Sequence, residues 1–314
     1  MRVRVLDLDD GIAAKRKVVT LWKAEVIPFL DWGPRIRIAC FWSAFRKFER
    51  ACQVRLGSDT IAPALTLYGS GDFHHVTLAL LRRIDRPFNL LVLDKHPDWM
   101  RGVPLLHCGN WLYYALKLPN LQRVYHFGGE LDFDNLFRWL APWQALQSGK
   151  VVTFPAVRRF NRGQWRCTRH EPLRARADQP LEVNRLQAIL GESRSDLARF
   201  PLYISLDKDV MRARDAVVNW DSGYLELMEV QTILSWFIAA CSGNLAGMDI
   251  LGDWSPVRVH GLLQHALHAT EHPSLSVDTE AALSRNATVN LALVESVLAA
   301  ISPSMHGRQV SLAG

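Results

Sequence analysis

The sequence lacks any long run of apolar residues. No stretch of its 314 residues approaches the ~18 apolar residues that a transmembrane helix needs, so we expect no membrane-spanning segment. The segment Met1–Asp7 has no continuous apolar stretch of signal-peptide type and predicts an ordinary first strand.

Cysteine is scarce and irregularly placed. The five cysteines are odd in number, scattered and never at the spacing of a metal clip. This pattern argues against a disulfide scaffold and favours a reduced, cytoplasmic protein.

Positive charge is only slightly in excess, at +6, and much of it lies in one segment. That segment contains Trp165 and His170 among seven arginines: Arg158, Arg159, Arg162, Arg166, Arg169, Arg174 and Arg176. We interpret residues of about 155–179 as a solvated loop inserted between two core elements. The alternative is a patch or lid for an anionic partner, but no nucleic-acid motif accompanies the charge, which argues against nucleic acid.

Strand-like apolar runs alternate with helix-like stretches along the chain. Runs such as Leu90–Leu93 are apolar throughout, as in a parallel sheet covered on both faces. The alternation predicts an α/β fold with three αβα layers and a central, mostly parallel sheet. With no convincing linker, residues 1–314 are interpreted as one domain. Predicted helices include 75–83, 109–118, 135–146, 181–189, 226–240, 256–269 and 287–301.

Metal-binding side chains follow three of the predicted strands. They are His74 after Ala64–Tyr68, then Asp94, His96 and Asp98 after Asn89–Leu93, then Asp207 and Asp209 after Leu202–Leu206. Side chains two apart on extended backbone point the same way, and sites in such sheets form beyond the carboxyl ends of strands. Four carboxylates in one small volume could not all stay ionised without cations. The pattern therefore predicts a centre for two divalent ions, with His75 as the alternative to His74.

Three blocks of sequence resemble those of the ureohydrolase superfamily, which includes arginase, agmatinase and formiminoglutamase and, more remotely, histone-deacetylase-like enzymes. The family's Gly-Gly-Asp-His block is similar to Gly71-Asp72-Phe73-His74, displaced by one aromatic residue. Its Asp-Ala-His-x-Asp block is similar to Asp94-Lys95-His96-Pro97-Asp98, and its Ser-x-Asp-x-Asp block to Ser205-Leu206-Asp207-Lys208-Asp209. The resemblance runs from about residue 60 to 256 and implies an arginase-like fold.

The resemblance also implies a ligand set. One ion would be held by His74, Asp94, Asp98 and Asp207, and the other by His96, Asp94, Asp207 and Asp209. Oxygen-rich ligation favours Mn²⁺, with Zn²⁺, Fe²⁺ or Ni²⁺ as alternatives. Family members act on small molecules, often as trimers or hexamers, so we expect a small-molecule substrate and a homo-oligomer.

Two further residues are candidates for catalysis. His107 resembles the family histidine that carries protons to the leaving amine; the alternative is a helix-start histidine bonded to backbone. The family glutamate that holds a guanidinium is absent, and Gly252 or Asp253 stands in its place. Asp253 could hold a cationic amidine, but if Gly252 is the equivalent, guanidino recognition is lost.

The sequence thus favours a metal-dependent hydrolase that cleaves a C–N bond of a small amidine, guanidino or amide compound other than L-arginine. One alternative is a deacetylase-like amide hydrolase with a single zinc on Asp94, His96 and Asp207. Another is a non-catalytic metal-binding or interaction protein of the same fold, with the arginine-rich segment as its working surface.

Overall fold

A computed structural model describes residues 1–12, 15–57, 63–101, 104–132, 139–159, 182–272 and 277–302. Its strands are β1 (Arg2–Asp7), β2 (Glu25–Pro28), β3 (Ala39–Cys40), β4 (Ala64–Leu67), β5 (Phe88–Leu93), β6 (Leu106–His107), β7 (Leu121–Phe127), β8 (Glu130–Asp132), β9 (Val151–Phe154), β10 (Val157–Arg159), β11 (Leu202–Asp207) and β12 (Leu245–Leu251). Its α-helices are α1 (Lys15–Trp22), α2 (Gly33–Ile36), α3 (Trp42–Arg55), α4 (Val76–Leu81), α5 (Trp111–Ala115), α6 (Trp143–Gln147), α7 (Val183–Leu190), α8 (Arg194–Arg199), α9 (Leu227–Ala240), α10 (Leu262–Glu271) and α11 (Thr279–Ile301).

Eight strands form one parallel sheet in the order β2-β1-β4-β12-β11-β5-β7-β9. Two small pairs stand apart from it: β3 runs antiparallel to β6, and β8 runs parallel to β10. Strands β5 and β11, which are buried along their whole length, lie in the interior of the large sheet, as a parallel sheet covered on both faces requires.

Alternate side chains of β5 enter two separate hydrophobic layers. Leu90 and Val92 pack with α3, α4 and α5, whereas Leu91 and Leu93 pack with α9 and α11. Because side chains on a strand alternate between faces, one apolar strand contributes to both layers. The predicted three-layer α/β fold is confirmed.

Several helix boundaries differ from those predicted. The helix expected at 256–269 begins at Leu262, because residues before it are held in loop contacts such as His260 N–H with the Pro34 carbonyl. The helix expected at 287–301 begins at Thr279, where the Asp278 carboxylate caps the N–H groups of the first turn. Of the helix expected at 135–146, residues 135–138 lie outside the described ranges, and α6 begins only at Trp143.

The predicted inserted loop at about 155–179 lies largely outside the described residues, which stop at Arg159 and resume at Glu182. The interpretation of 1–314 as one domain with this insertion stays a prediction. No helix in the described ranges is both long enough and apolar enough to cross a membrane.

Candidate metal centre

His74 lies at the end of a short 3-10 helix, Gly71–Phe73, that follows β4. The Ser70 hydroxyl caps this helix by accepting a backbone N–H, which turns the chain back towards the carboxyl edge of the sheet. There the buried imidazole meets two carboxylates. Its Nδ1 lies 3.1 Å from Oδ2 of Asp94 and 2.9 Å from Oδ2 of Asp98.

The loop after β5 is shaped by its own polar groups. Oδ1 of Asp94 accepts the backbone N–H of His96 at 2.6 Å. Asp98 adopts a positive φ of 48°, a conformation that aspartate tolerates better than most residues. Its Oδ2 accepts the indole N–H of Trp111 at 2.7 Å, which fixes the carboxylate beside His74.

The third group closes the cluster from β11. Asp207 ends the strand, and its Oδ1 accepts the backbone N–H of Asp209 at 3.0 Å. Oδ2 of Asp209 lies 2.7 Å from Nδ1 of His96, and its Oδ1 accepts the Lys95 backbone N–H at 3.0 Å. The second and third blocks of sequence are therefore joined directly.

All six predicted ligands lie at one edge of the sheet. Two triads have ligand atoms within 4.8 Å of one another: His74 with Asp94 and Asp98, and His96 with Asp94 and Asp209. Asp94 belongs to both triads, and Oδ2 of Asp207 lies 3.6 Å from Nδ1 of His74. The two triads are therefore adjacent and share the carboxylate of Asp94.

The structure places His74, and not His75, among the carboxylates. His75 is also fully buried, but its ring faces Phe45, with ring centroids 6.3 Å apart. Burial there lowers the pKa of His75 to about 3, so it is neutral. His75 follows His74 directly in the chain, and its side chain points away from the carboxylates.

Without cations, protons balance the charge of the centre. Burial and the charge of Asp209 raise the pKa of Asp207 to about 7. Burial alone would lower the pKa of His96, but the adjacent Asp209 raises it to about 10. Burial alone would also lower the pKa of His74, but the adjacent carboxylates of Asp94 and Asp98 raise it well above its usual value. Divalent ions would replace these protons.

We expect metal binding to release protons and metal affinity to rise with pH. His74 and His96 must lose their protons to become ligands, so calorimetry in buffers of different ionisation enthalpy should detect release of about two protons per chain. In the metal-free protein, both shifts lower the free energy of unfolding as pH rises. The stability that comes from the raised pKa of His96 is lost as pH rises from 6.5 towards about 10. The raised pKa of Asp207 costs stability as pH rises from 3.8 towards about 7. Metal-free protein that gains thermal stability between pH 7 and 9 would contradict this balance.

Two observations show that the residues fit a pair of cations. Oδ2 of Asp94 is buried and accepts no well-formed hydrogen bond, although it lies 3.1 Å from His74. The Asp207 carboxylate lies close to the backbones of Gly71 and Gly252. A Cβ at either position would overlap one of its oxygens. Carboxylates with one imidazole per triad form a donor set suited to Mn²⁺ and similar ions.

A buried network behind His74 was not foreseen from the sequence. Nε2 of His74 lies 3.0 Å from the Ser205 hydroxyl, which in turn donates to Asp249 at 2.7 Å. The Tyr203 hydroxyl donates to the other oxygen of Asp249 at 2.8 Å. This chain holds the ring so that Nδ1 faces the carboxylates. In the sequence, the one sign of this network is Asp249, a single aspartate inside the otherwise apolar run of β12.

Asp253, a predicted substrate contact, lies in a buried ion pair. Lys208 is fully buried and donates to one oxygen of Asp253, while Asn290 donates to the other at 2.9 Å. Asn290 also accepts a hydrogen bond from Lys208 at 2.8 Å. A role for Asp253 in holding a cationic substrate stays a prediction, and it would require this pair to open.

His107 begins a short 3-10 helix at Cys108–Asn110. Its Nδ1 accepts the Gly109 backbone N–H at 3.1 Å, as the helix-start alternative expects. Burial lowers the pKa of His107 to about 4, so the ring is neutral at pH 7. Its role as the proton carrier stays a prediction.

A second polar cluster borders the centre through the loop that carries His74. Asp72 accepts hydrogen bonds from Arg37 at 2.6 Å, from Trp220 at 2.9 Å and from His272 at 2.7 Å. Although burial alone would raise the pKa of Asp72, Arg37 and His272 lower it to about 2. His272, the residue that follows α10, turns inward because Asp72 binds it.

No protein-family model matches the sequence. Over 193 residues the chain is 26% identical to an uncharacterized protein from Thermotoga maritima, a match that spans 62% of this chain and 59% of that protein.

Solved structures with the same fold cover nearly the whole chain. An arginase from Bacillus subtilis has a TM-score of 0.56 at 15% identity, over 95% of this chain and 98% of that one. The proclavaminate amidino hydrolase of Streptomyces clavuligerus has a TM-score of 0.52 at 18% identity, over 94% and 92%. The agmatine ureohydrolase of Thermoplasma volcanium has a TM-score of 0.51 at 12% identity, over 98% and 92%. The protein has the arginase fold, as the three motifs predicted.

Proposed function

We propose that this protein is a binuclear-metal hydrolase that cleaves a C–N bond of a small amidine, guanidino or amide compound. The observation that carries the proposal is the convergence of the two triads, which share Asp94, at the carboxyl edge of an arginase-type sheet. The solved structures of that fold named above are an arginase, an amidino hydrolase and an agmatine ureohydrolase.

The proposed ligand sets follow the motif resemblance. His74, Asp94, Asp98 and Asp207 would hold one ion, and His96, Asp94, Asp207 and Asp209 the other. Bound divalent cations supply Lewis acidity and lower the pKa of water into the neutral range. Hydrolysis breaks the C–N bond, forms a C–O bond from water and leaves the departing nitrogen with a proton.

The protein's own residues orient the ligands. Trp111 holds Asp98, Ser205 holds His74, and the Asp209 N–H holds Asp207. Such supporting hydrogen bonds restrict ligand orientation before a cation binds. Neutral His107 is the group proposed to move a proton to the leaving nitrogen.

The single-zinc alternative on Asp94, His96 and Asp207 has less support. Nδ1 of His96 faces Asp209 at 2.7 Å, and one zinc would leave the His74–Asp98 contact without a role. The non-catalytic alternative depends on the arginine-rich segment, whose residues beyond Arg159 lie outside the described ranges.

The test is a screen of manganese-loaded protein for urea or ammonia release from guanidino, amidine and amide compounds. We expect turnover of at least one compound, abolished by a chelator and restored by Mn²⁺. His107→Ala should keep both ions and reduce turnover by about 100-fold. Chelator-insensitive turnover would contradict the proposed chemistry, and an unchanged rate in His107→Ala would exclude it as the proton carrier.

A further inference from the structure

We propose that the centre selects a substrate with a neutral scissile amide and a separate anionic group that Lys95 binds, in place of a cationic guanidinium. This inference rests on the proposed hydrolase function and narrows its substrate class. It follows from the pairing of the charged side chains near the centre: two carboxylates are held by strong donors, whereas Lys95 has only a weak partner.

The end of β12 cannot supply a carboxylate to a cation. Gly252 has a φ of 92°, and a Cβ there would overlap Asp207, so an acidic side chain does not fit at this position. The next residue, Asp253, has both oxygens engaged by the buried Lys208 and Asn290. A guanidinium would have to compete with an ammonium that the fold has already buried.

Asp72, the carboxylate two residues before His74, is engaged as well. Asp72 is fully buried and accepts from Arg37, Trp220 and His272. Three donors, one of them a guanidinium, satisfy its two oxygens. Asp72 therefore gives the centre no spare negative charge.

Among the described residues, Lys95 is a cation that lies between two proposed ligands in the chain, Asp94 and His96, and has only a distant partner. Its backbone N–H donates to the ligand Asp209, and its side chain is 12% exposed. Its Nζ lies 3.8 Å from Oδ2 of Asp221, whose side chain is 68% exposed and which follows Trp220 in the chain. Trp220 itself packs against the ligand His96, with ring centroids 5.9 Å apart. Lys95 is therefore joined to the second triad through its backbone, and its ammonium lies against Asp221, which follows a residue that packs on His96.

The Lys95–Asp221 pair is weak enough to be exchanged. A distance of 3.8 Å is longer than a hydrogen bond, and pairs with such exposed partners contribute little to stability. A substrate carboxylate could therefore take the place of Asp221 and form a charge-assisted hydrogen bond with an ammonium already held in position. The substrate class that fits is a small N-acyl compound that also carries a carboxylate.

Three hydroxamates that differ only in the charge of the tail test this selection on manganese-loaded protein. They are succinic monohydroxamate, butanohydroxamate and 3-aminopropanohydroxamate, whose tails are anionic, neutral and cationic. In calorimetry we expect the anionic probe to bind about tenfold more tightly than the neutral one, and the cationic probe to bind most weakly.

Variants separate the charge of Lys95 from a structural role. Lys95→Met should remove the tenfold preference, Lys95→Arg should retain most of it, and Asp221→Asn should strengthen binding of the anionic probe a few-fold by removing the competing carboxylate. Lys47→Met, at an exposed position on α3, serves as the matched control.

Tightest binding by the cationic probe, or a preference unchanged in Lys95→Met, would overturn the inference. Weaker binding of the cationic probe in Asp221→Asn would assign recognition to Asp221 instead. Metal content, measured on the same samples, separates the two proposals. Protein that binds two ions without favouring the anionic tail refutes only the charge selection, whereas protein that binds neither metal nor hydroxamate refutes the proposed function.

Discussion

Replacing Asp207 by asparagine should strip metal from both proposed positions. The amide has nearly the same shape and can still accept the Asp209 N–H, so the fold of the loop is retained. The substitution removes one of the four carboxylates of the proposed centre, however. A neutral amide is a poor bridge between two cations. We expect affinity for Mn²⁺ to fall at least about 100-fold and hydrolysis to fall below detection.

Elemental analysis and calorimetry measure this loss. Asp85→Asn is the matched control, because Asp85 is exposed and precedes β5, at the opposite end of that strand from the centre. The control should keep the metal content of the parent protein. If Asp207→Asn retained both ions at parental affinity, Asp207 would not be a bridging ligand.

Replacing Lys208 by methionine should be the most destabilising of the single changes considered. Lys208 is fully buried, lies in the chain between the proposed ligands Asp207 and Asp209, and its ammonium is held by Asp253 and Asn290. Methionine fills a similar volume but leaves the buried Asp253 without its cation. Breaking a buried pair on one side costs about 3–5 kcal/mol, which urea denaturation of the metal-free protein would measure.

A double variant tests whether the loss comes from the unpaired charge. Lys208→Met combined with Asp253→Leu should recover part of the stability, because removing both charges avoids the buried, unpaired carboxylate. Lys47→Met is again the exposed control and should change stability by less than about 0.5 kcal/mol. A Lys208→Met protein as stable as the parent would mean that the ion pair contributes no net stability.

The sequence is sufficient to predict the sheet and the neighbourhood of the ligands. An apolar strand followed by side chains two apart is a local pattern, and it suffices to place Asp94, His96 and Asp98 at the end of a strand. His74 is harder to place, because its neighbour His75 differs only in rotation about the following helix. The region before Ala64 contains α3, a 14-residue helix that the sequence pattern did not predict.

The surroundings of the ligands depend on contacts that no local pattern contains. Lys208 meets Asp253 and Asn290 across 45 and 82 residues, and His272 meets Asp72 across 200 residues. In its local sequence each of these groups resembles an ordinary surface charge. A buried charge needs a partner, and the local sequence does not show which residue that partner is. The topology of the sheet and the packing of α10 and α11 supply those partners.

The most direct test of the proposed binuclear centre is the number of ions bound per chain. Purified protein would be loaded with Mn²⁺, dialysed free of excess metal and analysed by inductively coupled plasma mass spectrometry against a protein concentration from amino-acid analysis. A binuclear centre bridged by Asp207 predicts close to two ions per chain in the parent protein and close to none in Asp207→Asn. A value near one would favour the single-zinc alternative, and metal-free parent protein would contradict the binuclear centre outright.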